Sequence, residues 1–595
     1  MLSGTARDES FRFFCACNPA YYPQMTTFAR QNTPKYLCMN RLSISVTLAS
    51  ALVLAQPLRA QQTDHSFDVA KSMEIFNTLF TALDLFYVDT IDADELITTA
   101  IDAMLESLDP YTEYYREEDM GDLKMLTTGK YGGIGSIIHM RKDSTVIISE
   151  PYEGMPAAQV GLQVGDVLVA IDGQDLKGKS VSQVSEMLRG EPGTTFILRV
   201  RRPGEGRERD FTITRQNVKV PAMPYYGLCA DGVGYIYLQQ FTENCAVEVR
   251  KALIALRDQG ARSLVIDLRD NGGGLLSEAV AIVNLFVPKG LTIVETRGKV
   301  RAAHTVYTTK DDPLDLEIPL CVLVNGGTAS AAEIVSGSLQ DLDRAVIVGA
   351  RTFGKGLVQS PRELPYDGSL KMTTSKYYIP SGRCIQAIDY AARRKGDRGT
   401  ATDSLVHVFH TAAGREVRES GGITPDVPVR VDTMSEVAYY LSIDDVITDW
   451  GTHYMQQHRD ELPPVRAFTV SDEDVAELLA MAQDADFKYD RLAQRSLDAL
   501  RRSLKQEGTY EEAEAELLAL EARIGGDLPR EFARNDDEIR RVMAMEVIKR
   551  YAFQAGTVEY SLLDDPDLQE ALRILATPDE YARILQGPDT EQPQD

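Results

Sequence analysis

Ser330 and Lys355 are the residues of this 595-residue chain whose surroundings best fit nucleophilic chemistry. Ser330 follows the glycine turn of "NGGTASAAEI", Asn325 to Ile334, where an apolar strand hands over to a helix starting near the serine. A hydroxyl there sits at the positive end of the helix dipole, beside the N–H of Ala331. Serine attacks only when a base takes its proton, and lysine is a base only when neutral. Lys355 lies in "TFGKGLV", which carries no other charge, so burial would depress its pKa with no adjacent carboxylate to restore it. Gln359 follows four residues on; if both residues share a strand they share a face, and an amide could orient Lys355 without adding negative charge. The spacing Ser330-x-x-Glu333 is also a capping box, in which the serine only satisfies helix N–H groups.

A second pattern competes for Lys355. Gly349-x-x-x-x-Gly354-Lys355 has the outline of a phosphate-binding loop, but that loop needs Ser or Thr after the lysine and a helix beginning there. Gly356 occupies the place, and Leu357-Val358-Gln359-Ser360-Pro361 reads as a short strand. With one helix and one strand between Ser330 and Lys355, a right-handed crossover returns the lysine beside the start of the serine's helix. A third piece is "VIDLRDNGGGLLSEA", a buried strand ending in Arg269-Asp270-Asn271 and three glycines. Gly272, Gly273 and Gly274 let backbone N–H groups approach a ligand, as an oxyanion hole requires; a plain glycine turn reads the same way.

The elements that must position these residues follow from periodicity. Helical spacing marks Val69 to Phe86 and a second helix over Leu96 to Leu108, stopped at Asp109-Pro110. Between 130 and 220 the texture turns to short strands, Ile134–Met140, Thr145–Ser149, Val167–Ile171, Thr195–Arg201 and Arg209–Arg215, with one helix over Ser182–Leu188. From Gly232 strands and helices alternate, which predicts a layered α/β core. Beyond 433 the chain is charged and helical, as in Glu511–Ile524 and Asp536–Arg550.

Two resemblances emerge from these motifs. "YGGIGSII" followed by "EGMPAAQVGLQVGDVLVAIDGQDL" resembles a circularly permuted bacterial PDZ domain, in which the loop Gly132, Gly133, Ile134, Gly135 would present N–H groups to a peptide's terminal carboxylate. Thr328 to Glu333, Phe353 to Gln359, Asp267 to Gly274 and "LDPYTEY" together resemble the carboxyl-terminal processing proteases, tail-specific peptidases of the S41 class. The resemblance implies an α/β multidomain fold: a layered, crotonase-like protease core with an inserted PDZ β-domain and helical N- and C-terminal regions. It makes Ser330 the nucleophile, Lys355 the general base and Gln359 its orienter, with Gly273, Gly274 and Ala331 as oxyanion donors. Neither cofactor nor metal is required. Implied partners are unfolded or tagged proteins, bound through their C-termini. A crotonase-like acyl-transfer enzyme and a catalytically inactive PDZ scaffold are the alternatives.

Boundaries follow: 1–38 as a start-site misassignment, 39–60 as a signal peptide, 61–125 as an N-terminal helical region, 126–220 as the PDZ domain, 221–432 as the protease core and 433–595 as a C-terminal helical region. The leader reading rests on Met39 to Ala60, with an early arginine, an apolar run from Leu42 to Ala55 and a Leu58-Arg59-Ala60 end, and it places the protein in the periplasm or cell envelope. A net charge of -26 argues against nucleic acid and anionic membrane surfaces as partners. For the acidic tail a homo-oligomer contact, an adaptor site and a fold-back regulator remain open. Cys15, Cys17 and Cys38 precede the leader; Cys229, Cys245, Cys321 and Cys384 have no metal-like spacing and read as buried small hydrophobes that an oxidising compartment could also pair. No histidine falls in the catalytic motifs, which argues against a Ser-His-Asp arrangement.

Overall fold

The apolar run in each core strand is continuous because both faces of the sheet it forms are covered. The computed structural model describes residues 43–396, 407–419, 421–430, 434–458, 461–489, 491–524 and 527–587, with side chains from 65 onward. Residues 1–38, with Cys15, Cys17 and Cys38, lie outside the described residues, as do the first four of the leader-like stretch. Residues 1–97 and 98–595 form two compact units. The first holds the helix Ser43–Phe86 and the start of the helix Ala93–Glu106, and leaves Phe67, Met73, Phe76 and Leu79 exposed. No described helix is long and apolar enough to cross a membrane.

In the second unit, a six-stranded sheet runs in the order Tyr225–Ala230, Val233–Tyr237, Ser263–Asp267, Leu320–Val324, Val346–Gly349, Val427–Pro428; the first pair is antiparallel and the rest parallel. Side chains alternate between its faces with period two. Leu264, Ile266, Leu320, Val322, Val324 and Ile347 pack against the helices Cys245–Asp258, Leu276–Asn284 and Ala331–Asp341. Val265, Cys321, Leu323, Val346 and Val348 face the other way, onto Leu568, Ala571 and Ile574 of the helix Pro566–Leu575 and Ile584 and Leu585 of the helix Pro578–Gln586. Full burial of a Val or Leu side chain contributes about 1.5–3 kcal/mol, so the helices Pro566–Leu575 and Pro578–Gln586 form an integral wall of this core.

A second sheet, antiparallel throughout, was not foreseen. Its order is Glu113–Tyr115, Ser369–Tyr378, Thr292–Gly298, Thr305–Thr308, with Leu357–Glu363 also paired to Ser369–Tyr378. The segment expected only as N-terminal helix therefore contributes a strand, three residues long and too short to show a period.

The 130–219 segment forms an antiparallel sheet ordered Ser136–Met140, Val146–Pro151, Val167–Ile171, Thr195–Arg201, Glu208–Thr214, with Lys130–Gly133 paired separately to Gln216–Lys219. Its helix, Val181–Leu188, is capped by Ser180, whose side chain accepts from the Gln183 N–H. This small domain is gripped by the C-terminal helices. Arg141 forks onto Asp449 at 2.7 and 2.8 Å, Lys142 pairs with Asp444, and Arg550 donates to the Val164 carbonyl at 3.1 Å.

The four described cysteines are free; Cys245, Cys321 and Cys384 are buried, and burial pushes all four thiols up.

Candidate active site

Ser330 is placed by the strand Leu320–Val324, the turn Asn325-Gly326-Gly327 and the helix Ala331–Asp341. Two loops are laced there. The Asn325 side chain accepts from the N–H of Gly327 at 2.9 Å and of Asp270 at 3.0 Å, and donates to the Asp270 carboxylate at 3.0 Å. Thr328 donates to the Leu268 carbonyl at 2.8 Å, and the Ala329 N–H to the Asn271 carbonyl at 2.9 Å. Ser330 is held at φ 57°, ψ -116°. The N-caps Ser180, Ser435 and Ser471 all take the extended conformation usual for caps. Ser330 departs from that conformation, at a cost of order 1–3 kcal/mol.

Gly273 is what lies against it. At φ 102°, a Cβ there would stand 2.7 Å from Ser330 Cβ, 2.9 Å from the Ala329 carbonyl oxygen and 3.0 Å from the Ala331 nitrogen, so only glycine fits. As an oxyanion donor, however, Gly273 is corrected. Its N–H donates to Asn271 Oδ1 at 2.8 Å, because the asparagine folds over its own backbone two residues on. The N–H groups of Ala331 and Gly274 take no part in the bonds that lace the loops. Gly274, at φ 141°, is pressed against the Phe241 carbonyl.

Glu333, read from the sequence only as the far half of a capping box, joins the serine to the lysine. It is fully buried, and its carboxylate accepts four bonds: Ser330 N–H at 2.9 Å and Lys355 N–H at 2.8 Å on one oxygen, Thr352 Oγ1 at 2.5 Å and Gly354 N–H at 2.8 Å on the other. Burial pushes its pKa up and these donors oppose the shift. On the opposite side the buried Tyr377 hydroxyl donates to the Lys355 carbonyl at 2.7 Å and lies 3.1 Å from the Ser330 carbonyl. One carboxylate and one hydroxyl thus fix both backbones. No sequence signal marked Tyr377.

Lys355 Nζ lies 4.3 Å from the ring centroid of Tyr111, in a cation–π contact. No hydrogen bond joins Nζ to Ser330 Oγ among the described residues. Burial holds the lysine below its ordinary pKa and the charge of Lys371 adds to this; Glu113, Glu333 and Asp109 act against it.

Gln359 is placed differently from the strand-spacing expectation. Lys355 precedes the strand Leu357–Glu363, and the register shifts between Val358 and Gln359, so the two do not share a face. The Gln359 amide donates to Thr373 Oγ1 at 3.2 Å, Thr373 to Asp109 Oδ1 at 3.2 Å, and that oxygen accepts the Tyr111 N–H at 2.9 Å. Gln359 therefore reaches the lysine's surroundings through the loop that carries Tyr111.

In the small β-domain, Ser136–Met140 is an edge strand that packs beside the helix Val181–Leu188, with Ile138, Met140 and Met187 partly buried between them. An unpaired edge beside an apolar groove is what strand addition by a peptide requires. Of the four residues expected as a carboxylate loop, Gly132 and Gly133 end the strand Lys130–Gly133 and only Ile134 and Gly135 lie between strands; Gly132 abuts the Gly190 carbonyl, and Gly135 takes φ 71° beside Met155.

Comparison with known proteins agrees with this architecture. Residues 232–394 match Peptidase family S41, residues 147–202 a PDZ domain, and residues 437–575 the "Probable PDZ-protease, C-terminal helical domain". A carboxy-terminal-processing protease of Bartonella bacilliformis is 36% identical over 344 residues, 57% of this chain and 78% of the relative. A probable CtpA-like serine protease of Staphylococcus haemolyticus is 32% identical over 346 residues, 58% of this chain and 68% of the relative. Among solved structures, the photosystem II D1 C-terminal processing protease shares 27% identity, with 60% of this chain and 93% of that one covered and a TM-score of 0.33. With relatives this similar over two thirds or more of their own length, the chain belongs to the carboxy-terminal-processing proteases, serine peptidases of family S41 that carry a PDZ domain.

Proposed function

We propose that the chain is an endopeptidase working through a Ser330–Lys355 dyad on exported proteins whose C-terminal tails are captured by the PDZ domain. The observation that carries this reading is the common tether of the two residues: Glu333 binds both their N–H groups, and Tyr377 both their carbonyls. In the reaction, neutral Lys355 takes the proton of Ser330 Oγ as the oxygen attacks the peptide carbonyl. The tetrahedral oxyanion is held by the N–H groups of Ala331 and Gly274. Lys355 then protonates the leaving amine. Water, deprotonated by the same lysine, attacks the acyl ester and releases the new carboxylate and free serine. Gln359, through Thr373, Asp109 and Tyr111, steadies the lysine's pocket. Export is supported by the leader-like residues 39–60, and capture by the open edge strand and its glycine loop.

A denatured reporter with an apolar C-terminal tag tests the capture step. The free-carboxylate form should be cleaved at least about tenfold faster than its C-terminally amidated twin, the worth of one lost charge-assisted contact. Equal rates for the two forms would show that tails are not read through their carboxylate.

A further inference from the structure

The loop that packs on Ser330 is held from behind by the far end of the chain. Arg269, four residues before Gly273, donates to Asp267 at 2.6 to 3.0 Å, to Asp565 at 2.5 and 3.0 Å and to Asp567 at 2.9 Å. Tyr235 donates to the same Asp267 at 2.6 Å. All three carboxylates are buried and one guanidinium bonds to each, although Oδ1 of Asp567 is left without a partner among the described residues. Burial alone would push the Arg269 pKa down, but the charges and bonds of Asp267 and Asp565 outweigh it and raise it. Burial also pushes the Asp567 carboxyl up, against the pull of Arg269.

From Arg269 the path to the serine is short. Asp270 stands at φ 57° and is fixed by Asn325; Asn271 donates to the Leu238 carbonyl at 2.7 Å, accepts the Gly273 N–H, and offers its own carbonyl to Ala329. Gly273 then lies so close to Ser330 and Ala331 that a Cβ on it would stand 2.7 Å from Ser330 Cβ and 3.0 Å from the Ala331 nitrogen. Asp565 itself is fixed as the N-cap of the helix Pro566–Leu575, accepting the Leu568 N–H at 3.0 Å, and that helix is bolted to the sheet by Leu568, Ala571 and Ile574.

We propose that Asp565 and Asp567 are positioning residues of the peptidase: through Arg269 they hold the 267–274 loop in register with Ser330, so the C-terminal helical region completes the active site that its own residues never enter. The inference rests on Ser330 being the nucleophile. It gives the acidic tail, whose role the sequence left open, a task within the same chain.

Asp565→Asn in the full-length chain is the test, because asparagine keeps the N-cap while removing the charge that Arg269 meets. The quantities to compare with wild type are the rate at which a small fluorophosphonate labels Ser330, kcat and KM for the tagged reporter, and Tm. Displacements of about an ångström near a reacting group cost on the order of 10²-fold, so labelling and kcat should both fall at least about tenfold with KM little changed. Labelling and kcat at wild-type levels, whatever happens to Tm, would overturn the proposal, as would a rise confined to KM. If Asp565→Asn does not fold, Asp567→Asn, which touches a single bond to Arg269, carries the same two readings. Wild-type protein that never labels at Ser330 would remove the dyad and this role together, a failure distinct from one seen only in the variants.

Discussion

A Gly273→Ala chain should label at Ser330 at least about 10²-fold more slowly than wild type, the scale of losing transition-state stabilisation at an acyl-transfer site. The added methyl would meet Ser330 Cβ, the Ala329 carbonyl and the Ala331 nitrogen at 2.7 to 3.0 Å. None of these is the loose end of a flexible side chain. Ala329 is bound to Asn271, and Ala331 opens a helix whose residues are buried throughout. Something must yield, and the serine and the first N–H of its helix are what the methyl pushes. The φ of 102° adds strain that alanine cannot relieve, so a stability loss of about 1–3 kcal/mol accompanies the kinetic defect. Labelling at the wild-type rate in a folded Gly273→Ala chain would mean that the loop does not bear on the serine.

Glu333→Gln carries the second large effect. Each carboxylate oxygen accepts two donors, and an amide offers one oxygen and one NH2 group. With its nitrogen toward Ser330 and Lys355 the amide faces two buried N–H donors; turned the other way it faces the Gly354 N–H, while the Thr352 hydroxyl can rotate to accept. Leaving a buried donor unsatisfied costs about 1–3 kcal/mol, so the variant should lose roughly that much in a denaturant titration, and about twice as much with the nitrogen toward Ser330 and Lys355. If the amide nitrogen faces Ser330 and Lys355, the shared tether opens and kcat falls with it. Losing the negative charge has a separate signature: Glu333 acts to raise the Lys355 pKa, so the acid limb of the rate profile of any folded variant should move to lower pH. A Glu333→Gln chain as stable and as active as wild type would show that the carboxylate is no tether.

The strands of the parallel core were legible as continuous apolar runs, buried on both faces, alternating with helices. In the small β-domain Val167–Ile171 and Thr195–Arg201 fall where the short strands were expected, and in the core the helix expected over Leu276 to Leu285 ends at Asn284. Ser330, Lys355 and the glycines stood out by chemical type against neutral neighbours. The second sheet did not, since Thr292–Gly298 and Ser369–Tyr378 mix charged and hydroxyl residues on a half-exposed surface and pair across long gaps in sequence. Contacts of that kind leave no local trace. Glu333 was visible but read as an ordinary cap, because sequence spacing cannot say that a loop 20 residues away closes over the carboxylate. Gln359 failed the strand-spacing argument for the same sort of reason: a register shift of one residue redirects a side chain, and nothing in the residues announces it. The Arg269 clasp joins positions almost 300 residues apart and could be found only in the fold.

In the proposed reaction Ser330 attacks and Lys355 takes its proton. The most direct measurement is the rate of fluorophosphonate labelling against pH, with the adduct mapped by peptide mass spectrometry, in wild type and in Lys355→Ala. A buried base held below the ordinary lysine value should give a labelling rate that rises through a single ionisation below about pH 10.4 and then levels, with the adduct on Ser330. Lys355→Ala should abolish that rise and slow labelling by on the order of 10³-fold or more. An adduct on another residue, or a Lys355→Ala chain that keeps the wild-type rate and pH profile, would contradict the account.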